Sequence, residues 1–416
     1  MARSPKTDSR NLEHSAPTGP LAGLRVLELG SLIAGPFATR VMAEFGAEVI
    51  KAERPGPGDP LRTWRYVDPR IGGSLWWAVQ SRNKKLITLE LSKPEGLELA
   101  KRLASQSDLL VENFKPGTLE KLGLGWEVLH GLNPRLILVR VSGYGQTGPS
   151  RSRPGFANIG EAMGGIRYVT GEPDRPPVRT GISLGDSLAS LYGVIGALVA
   201  VYARDVRGLG EGQVVDVALY EAVFSLMESM LPEYDVAGIV RERSGASLPG
   251  ITPSNSYRSA NGAYVAIGAN SDAIFRRLMV VIGRSELADA PRYRTNAERT
   301  EHAEELDTMI EQWTQQRPLE EILRRLEESD VPAGPIYSVT DIVEDEQYRA
   351  REMILPSQID GIGVVKMPGL VPKLSKTPGT VRWYGGRMGA HNQEVYGGLL
   401  GLCNAELQRL SEEGVI

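Results

Sequence analysis

Cysteine and histidine are scarce in this chain. Its 416 residues include one cysteine and four histidines. The single cysteine, Cys403, excludes an intramolecular disulfide and is typical of a reducing cytoplasm, and its Gly-Leu-Leu-Gly-Leu-Cys setting predicts a packing role. The histidines are too far apart in sequence to predict a metal site: His14, His130, His302 and His391.

Long apolar runs and clusters of basic residues are also missing. The longest apolar stretch, 191–202, is interrupted by glycine, which argues against a membrane span. A net charge of −4 without a Lys/Arg block argues against a nucleic-acid surface. Residues 1–20 are polar and contain acidic side chains, unlike a secretory signal or a transit peptide, so we expect a disordered or extended arm. The sequence therefore predicts a cytoplasmic globular protein.

Strand and helix patterns alternate through the first half of the chain. The predicted strands cover 24–30, 48–53, 86–91, 108–112, 136–141 and 214–219, and the predicted helices cover 36–45, 94–104 and 187–203. This alternation is typical of an α/β fold with an open, doubly wound parallel sheet.

The pattern changes after residue 215, which predicts a second domain. A helix is predicted over 220–234 and a loop-rich segment over 244–256, and the final helix is predicted over 392–402. We divide the chain into an arm (1–20), the main part of a large domain (21–215), a linker helix and loop (216–255), a small domain (256–340) and a C-terminal segment (341–416).

One carboxylate stands at the start of a long apolar helix pattern. Residues 180–187 read Thr-Gly-Ile-Ser-Leu-Gly-Asp-Ser, and the predicted helix begins at Ser187. Asp186 is then either an N-cap, which accepts hydrogen bonds from backbone N–H groups, or a nucleophile behind a bare glycine backbone. The octet by itself favours the cap.

A nicotinamide cofactor is one interpretation of the loop after the first strand, Gly-Ser-Leu-Ile-Ala-Gly-Pro. Glu53 supports it, because it ends the second strand where an acid that binds the ribose would stand. The loop lacks G-x-G-x-x-G, and Leu32 and Ile33 occupy the place where backbone must approach a pyrophosphate. The sequence therefore disfavours a dinucleotide and leaves open another nucleotide-bearing ligand at the strand ends. Arg54 and the Lys84–Lys85 pair are either phosphate contacts or solvated charge.

Several sequence blocks point to one family. In chain order they are LAGLRVLELGSLIAGPFATRVMAEFGAEVIKAERPGPGDP, RNKKLITLELSKPEG, VENFKPGTLEKLGL, NPRLILVRVSGYGQTGP, RPGFANIGEAMGG and GISLGDS. Together they resemble the class III CoA-transferases, the family of formyl-CoA transferase and carnitine CoA-transferase. The resemblance covers roughly residues 21–221 and continues more weakly to about 378.

The resemblance implies that Asp186 is the nucleophile and that CoA thioesters are substrates, with no tightly bound cofactor and no metal. It implies CoA contacts from these residues: Leu32, Ile33, Ala34, Arg54, Asn83, Lys84, Lys85, Asn113, Lys121 and Tyr144. It implies a large Rossmann-like domain built from both chain ends, a smaller α+β domain, and a homodimer interlocked like two linked rings, or a paralogous partner subunit. Two departures stand out: Ser142 replaces a lysine of formyl-CoA transferase, and the glycine-rich flap of that enzyme has its nearest candidate at 248–256.

Four arginines precede or enter the segment around the nucleophile: Arg153, Arg167, Arg175 and Arg179. A second carboxylate on the acyl group would pair with such a guanidinium, so we expect a dicarboxylate exchange, with succinyl-CoA as donor and malate or citramalate as acceptor. We also expect the Gly185 N–H to stabilise an oxyanion. The alternatives are that these arginines are surface charge, and that the acceptor is formate, oxalate or a carnitine-type acid.

Two other functions remain as alternatives to a transferase. Acyl-CoA racemases of the same superfamily carry a Gly-His-Asp segment where residues 153–158 here read Arg-Pro-Gly-Phe-Ala-Asn, so the histidine for a two-face proton exchange is missing. The other is a non-catalytic protein that binds CoA thioesters.

Overall fold

The computed structural model describes residues 18–416, so the predicted arm lies outside the described residues except for 18–20. The backbone contacts divide the described chain into two compact units. The first contains 18–165, 180–227 and 349–416, and the second contains 166–179 and 228–348. The predicted linker at 216–255 is thus divided between the units, and 166–179 joins the second one.

The secondary structure follows the chain as two series. The strands are β1 (Arg25–Glu28), β2 (Glu48–Glu53), β3 (Val67–Asp68), β4 (Gly73–Ser74), β5 (Lys84–Thr88), β6 (Leu109–Glu112), β7 (Ile137–Ser142), β8 (Val214–Ala218), β9 (Ser254–Arg258), β10 (Tyr264–Gly268), β11 (Ala333–Pro335), β12 (Ile354–Ile359) and β13 (Gly363–Pro368). The α-helices are α1 (Ala34–Glu44), α2 (Leu75–Gln80), α3 (Pro94–Ser105), α4 (Thr118–Lys121), α5 (Trp126–Leu132), α6 (Ala157–Met163), α7 (Leu184–Asp205), α8 (Leu219–Phe224), α9 (Met230–Ala237), α10 (Asp272–Val281), α11 (Asn296–Glu301), α12 (Ala303–Thr314), α13 (Leu319–Glu327), α14 (Val339–Glu344), α15 (Glu346–Ala350) and α16 (Asn404–Glu412).

The first unit is built on a parallel sheet of six strands in the order β5-β2-β1-β6-β7-β8. This confirms the predicted open parallel sheet, since buried runs such as Ile137–Ser142 suit strands that are covered on both faces. From β1 the chain adds β2 and β5 toward one edge of the sheet and then crosses to β6, β7 and β8 on the other side of β1. The crevice between the carboxyl ends of β1 and β6 is therefore the topological switch point, where such folds bind ligands.

Helices from both ends of the sequence cover the sheet. On one face, Val194 and Ala197 of α7 pack with Met42 of α1. On the other face, Leu103 of α3 shares a core with Tyr396 near the C-terminus, whose hydroxyl donates to the Thr88 carbonyl at 2.6 Å. The C-terminal segment therefore belongs to the same core as the N-terminal strands.

Among the described helices, α7 is long and apolar enough to cross a membrane by length and composition alone. It has 22 residues, and its most apolar 18-residue window has a mean hydropathy of 1.7, with 39% of that window buried within the protein. Its inward residues include Ala189, Gly193 and Ala200, whose small size lets the helix lie close to the sheet.

The second unit contains a small antiparallel sheet in the order β11-β10-β9, with β10 paired on both sides. Its core is a separate apolar cluster in which Tyr257 and Phe275 are buried with residues of α12 such as Ile310 and Trp313. The predicted loop-rich segment 244–256 already enters β9 at Ser254.

Three sequence predictions differ from the structure near helix ends. The helix predicted over 220–234 is two helices, α8 and α9, and the chain between them includes Glu228 with a positive φ of 47°. The final predicted helix is a π-helical segment, Gln393–Leu399, and the sequence reading missed α16. Cys403 is exposed rather than packed, because it stands at the N-terminus of α16, where its backbone N–H donates to Glu406.

Candidate active site

A cavity of about 300 Å³ opens at the carboxyl edge of the parallel sheet. Much of its lining comes from the segments after four strands, namely Leu29, Gly30 and Ser31 after β1, Arg54 after β2, Leu89 and Glu90 after β5, and Phe114 after β6, and the end of β2 and the turn with Asp59 contribute the rest of this wall. Ligands of doubly wound sheets bind at this edge, beside the switch point. The cavity is therefore the candidate site for the nucleotide part of a ligand.

Two predicted cationic contacts flank this cavity. The Arg54 side chain is 69% exposed and its Nε lies 2.8 Å from Oε2 of Glu90. Lys121 is exposed at the end of α4, between Thr118 and Leu122, which both line the cavity. Guanidinium and ammonium groups at the rim of such a cavity are suited to phosphate.

The loop after β1 is held by the side chain of Asn113. Its Oδ1 accepts from the Ser31 N–H at 2.8 Å, and its Nδ2 donates to the Ser31 carbonyl at 2.8 Å. A Cβ on Gly30 would stand 2.8 Å from Oδ1 of Asn113, so glycine is needed for this close approach. Both polar side-chain atoms of Asn113, which was predicted to contact CoA, therefore bind the backbone of Ser31 and hold the loop in shape.

The remaining predicted loop residues differ in exposure. Ile33 and Ala34 are buried, and Leu32 is half-buried with a positive φ of 64°. The loop therefore offers a ligand its backbone and Leu32, while Ile33 and Ala34 direct their side chains into the protein.

The structure does not bring the predicted pair Asn83 and Lys84 to the cavity. The Asn83 Nδ2 donates to the carbonyls of Ala43 and Thr380, at 3.2 and 2.7 Å. The Lys84 Nζ is buried and lies 2.8 Å from Oε2 of Glu28. A buried ammonium needs such internal partners, so these two side chains are structural and their predicted CoA contacts are corrected.

Lys85 is half-buried and also has internal partners. Its Nζ pairs with the carboxylates of Glu48 and Glu394, the latter at 2.7 Å. The sequence predicted a CoA contact for each of Asn83, Lys84 and Lys85, because a run of polar residues does not show which of its side chains are buried at the start of β5.

The nicotinamide interpretation fails at Glu53. Its buried carboxylate receives two bonds from Arg62, Nε to Oε2 at 2.6 Å and Nη2 to Oε1 at 2.7 Å. Oε2 also accepts from the Asp59 N–H at 3.0 Å. Glu53 lines the cavity, but these bonds already occupy both carboxylate oxygens, which disfavours a ribose contact.

Asp186 lies in the first turn of α7, not at its cap. The helix begins at Leu184 with Ser183 as the N-cap residue, so the predicted cap role of Asp186 is wrong. The side chain is half-buried at the end of the helix whose dipole favours negative charge.

Ser190 connects the first turn of α7 to the loop after β1. Its Oγ lies 2.6 Å from the Asp186 carbonyl and 2.8 Å from the Ala34 carbonyl. One hydroxyl therefore contacts both segments, which brings the candidate nucleophile's turn against the predicted CoA loop. No sequence motif indicated Ser190.

Gly185 packs against α6. A Cβ there would stand 3.1 Å from the Ala157 carbonyl and 3.2 Å from Cγ of Glu161. Its N–H donates to Oε1 of the buried Glu161 at 3.2 Å. The predicted oxyanion role of this N–H is therefore corrected, because the donor already has a carboxylate acceptor.

The loop after β7 and the start of α8 complete this edge of the first unit. The rings of Tyr144 and Tyr220 lie 6.3 Å apart between centroids, and Tyr144 is half-buried. The neighbouring Gln146 N–H donates to Oδ2 of Asp216 at 2.9 Å, and burial raises the pKa of Asp216. Ser142 is buried at the end of β7.

The four predicted arginines belong to different units. Arg153 is exposed in the first unit, before α6. Arg167, Arg175 and Arg179 belong to the second unit, where Arg167 is half-buried and the other two are exposed.

Together, the switch-point cavity and its flanking cations are typical of an α/β enzyme that acts on a nucleotide-bearing substrate. The model of CoA-transferase family III matches residues 21–392, and the chain belongs to this family.

This chain is similar to several known proteins over nearly its whole length. Succinyl-CoA–D-citramalate CoA-transferase of Chloroflexus aurantiacus is 51% identical over 96% of this chain and 99% of its own. The alpha subunit of succinyl-CoA–L-malate CoA-transferase from Chloroflexus aurantiacus is 41% identical over 95% of this chain and 92% of its own. The crystal structure of a CAIB/BAIF family protein from Brucella suis is 33% identical, with a TM-score of 0.80 over 92% of this chain and 100% of that one.

Proposed function

We propose that this transferase moves CoA from succinyl-CoA to a dicarboxylic acid such as citramalate or malate, with Asp186 as the nucleophile. The observation that carries the proposal is the contact of Ser190 with the carbonyls of both Asp186 and Ala34. It supports a thioester seated along the loop after β1 with its carbonyl carbon near the first turn of α7.

The first half-reaction releases succinate. A carboxylate oxygen of Asp186 attacks the thioester carbonyl, the C–S bond breaks, and a succinyl-aspartyl anhydride and CoA thiolate form. The thiolate then attacks the aspartyl carbonyl of the anhydride, which gives an aspartyl-CoA thioester and free succinate. Covalent catalysis divides one difficult exchange into easier steps.

The second half-reaction repeats these steps in reverse with the acceptor. The acceptor carboxylate attacks the aspartyl thioester and expels CoA thiolate, and the thiolate attacks the acceptor carbonyl of the new anhydride. The products are the acceptor's CoA thioester and the regenerated Asp186 carboxylate. The acceptor needs no general base, because a carboxylic acid is already ionised at neutral pH.

The choice of a dicarboxylate rests on two supports. The similar chains are named for succinyl-CoA with citramalate or malate. The chain also carries arginines suited to a second carboxylate, of which Arg153, Arg175 and Arg179 are exposed.

A substrate panel tests this proposal. We would incubate the purified chain with succinyl-CoA and each of citramalate, malate, oxalate, formate and carnitine, and identify new thioesters by mass. We expect citramalyl-CoA or malyl-CoA to form at least about tenfold faster than the products of formate and carnitine, because a charged hydrogen bond to the second carboxylate contributes on this scale. Transfer to formate or carnitine alone would overturn the dicarboxylate assignment, and transfer to oxalate alone would overturn citramalate and malate as the acceptors.

The same panel run in heavy water separates a racemase from a transferase. A transferase leaves the α-position of the acyl group unlabelled, whereas a racemase introduces deuterium there without needing an acceptor acid. Deuterium incorporation without new thioesters would overturn the transferase proposal.

We also propose that the chain works as an interlocked homodimer. The outward face of α7 carries a continuous apolar stripe at helical spacing, consisting of Leu191, Ile195, Leu198, Val199 and Tyr202, all exposed in the single chain. Exposed apolar surface of this kind is typical of an interface, and a second copy of this chain is the partner that the family resemblance implies.

Val199→Glu tests the homodimer. Val199 is 61% exposed on the stripe, and Val280 on α10 has the same exposure and serves as the control. We expect Val199→Glu to sediment as a monomer at concentrations where the parent is a dimer, because an unpaired charge is costly to bury when the two chains assemble, and Val280→Glu to remain a dimer. A wild-type monomer would contradict the proposal. Interlocking predicts, in addition, that tagged and untagged dimers exchange no subunits while they remain folded.

A further inference from the structure

A buried ion pair lies beneath the loop after β1. The Nζ of Lys51 lies 2.8 Å from Oδ2 of Asp59, and both side chains are buried. Lys51 also donates to the Gly30 carbonyl, and its Nζ lies 3.1 Å from Oε1 of Glu28. Neither residue of the pair stood out in the sequence.

Asp59 extends this pair to the backbone of Leu32. The Leu32 N–H donates to the Asp59 carboxylate, at 3.1 Å to Oδ1 and 3.2 Å to Oδ2. The same Oδ1 accepts from the Leu61 N–H at 2.9 Å. Burial alone would raise the pKa of Asp59, but the charge and hydrogen bond of Lys51, together with the N–H groups of Leu61 and Leu32, outweigh burial and hold it below its usual value.

Leu32 needs such an anchor. Its φ of 64° lies in the left-handed region, which a leucine occupies only at a cost in free energy and only where the surroundings determine it. The residues before it, Leu29 to Ser31, line the cavity together with Lys51 and Asp59 themselves. The conformation at Leu32 therefore decides where the wall of the cavity stands.

We propose that Lys51 and Asp59 are positioning residues for CoA: they hold Leu32 in its left-handed conformation, so that the loop over 29–33 is already shaped for the thioester before it binds. This inference rests on the proposed function for the identity of the ligand. The pair touches the loop and lines the cavity but takes no part in the transfer of the acyl group.

Two substitutions at residue 59 separate the contribution of hydrogen bonds from that of charge. Asp59→Ala removes both acceptors, whereas Asp59→Asn keeps an oxygen for the N–H groups of Leu32 and Leu61 and loses the ion pair. We expect the dissociation constant of CoA, measured by calorimetry with CoA alone, to rise at least about tenfold in Asp59→Ala and less in Asp59→Asn. With succinyl-CoA as substrate, KM should rise by the same factors while kcat changes less than about threefold.

Hydrogen exchange of the free protein measures the loop without any ligand. We expect amide exchange in peptides covering 29–35 to accelerate at least about tenfold in Asp59→Ala, and exchange in 137–142 on β7 to stay unchanged. Asp68→Ala is the matched control, because Asp68 is also a buried aspartate and pairs with a basic side chain, that of Arg70, but contacts another turn. It should leave both CoA binding and exchange in 29–35 within about twofold of the parent.

A glycine at position 32 tests the mechanism of positioning. Glycine adopts positive φ without strain, so Leu32→Gly should reduce the additional loss of CoA affinity caused by Asp59→Ala. If Asp59→Ala does not fold, Asp59→Asn with and without Leu32→Gly provides the same comparison.

The outcomes distinguish this inference from the function on which it rests. If the wild type binds and transfers CoA but the Asp59 variants bind it equally well with unchanged exchange in 29–35, the positioning role is overturned. A wild type that does not bind CoA overturns the proposed function, and faster loop exchange in Asp59→Ala would still support the anchoring of Leu32.

Discussion

Asp186→Asn is expected to lower kcat/KM for CoA transfer from succinyl-CoA by about 10,000-fold or more, since losses of this size follow removal of a covalent nucleophile. Asparagine matches the size of aspartate but cannot form the anhydride. The first turn of α7 should remain intact, because its contacts with the Ala34 loop and with Glu161 use backbone atoms of Asp186 and Gly185. The measurement is initial-rate transfer to citramalate, with circular dichroism to confirm folding.

Asp205→Asn is the control on the same helix. Asp205 ends α7 in ion pairs with Arg204 and Arg135, so its replacement should leave the rate within about twofold. Hydroxylamine added during turnover should convert the wild-type intermediate to a hydroxamate at residue 186 and produce none in the variant. A wild-type transfer rate in Asp186→Asn would contradict the nucleophilic role of Asp186, since the chain would then transfer CoA by another mechanism.

Glu28→Ala is expected to lower the free energy of unfolding at pH 7 by about 3–5 kcal/mol, the range for breaking a buried ion pair. The Glu28 carboxylate is buried and lies 3.1 Å from Nζ of Lys51 and 2.8 Å from Nζ of Lys84, and it accepts from the Thr39 hydroxyl. Its removal leaves two buried ammonium groups with fewer counter-charges. Denaturant unfolding measures the loss.

The pH dependence of this loss has a defined sign. Burial would raise the pKa of Glu28, but Lys51 and Lys84 outweigh burial and hold it below its ordinary value of 4.5. Its contribution to stability is therefore complete above pH 4.5 and is lost as the pH falls through the lowered value. The penalty of Glu28→Ala should shrink accordingly in acid.

Glu98→Ala provides the reference for Glu28→Ala. Glu98 is exposed on α3, and its replacement should change the free energy of unfolding by less than about 0.5 kcal/mol. A loss below about 1 kcal/mol in Glu28→Ala would mean that the two lysines find other partners or release their protons, contrary to the ion-pair account.

The parallel sheet was predictable because its signal is local. Each strand is a short buried run, and its period and flanking turns are contained within a few residues, as in Glu48–Glu53, where prediction and structure agree. The start of α7 was less predictable, because Leu184 and Gly185 enter the helix through contacts with Ala157 and Glu161, which lie far from them in sequence.

The roles of polar residues were the least predictable part of the site. Lys84 and Arg54 are alike in sequence as basic residues near turns, yet one is buried against Glu28 and the other is exposed at the cavity rim. Asn113 and Asp59 shape the loop after β1 through bonds to Ser31 and Leu32, across separations of 82 and 27 residues. Only the folded chain brings such partners together.

The sequence by itself determined the family, the alternation of strands and helices along the parallel sheet, and Asp186 as the candidate nucleophile, because each is recorded in residues that are adjacent along the chain. The tertiary structure decided which basic side chains reach the cavity, which carboxylates form ion pairs and hydrogen bonds inside the fold, and what holds Leu32 at a positive φ. The physical reason is that burial and ion pairing depend on distances in space, and one buried charge fixes the role of every polar group around it.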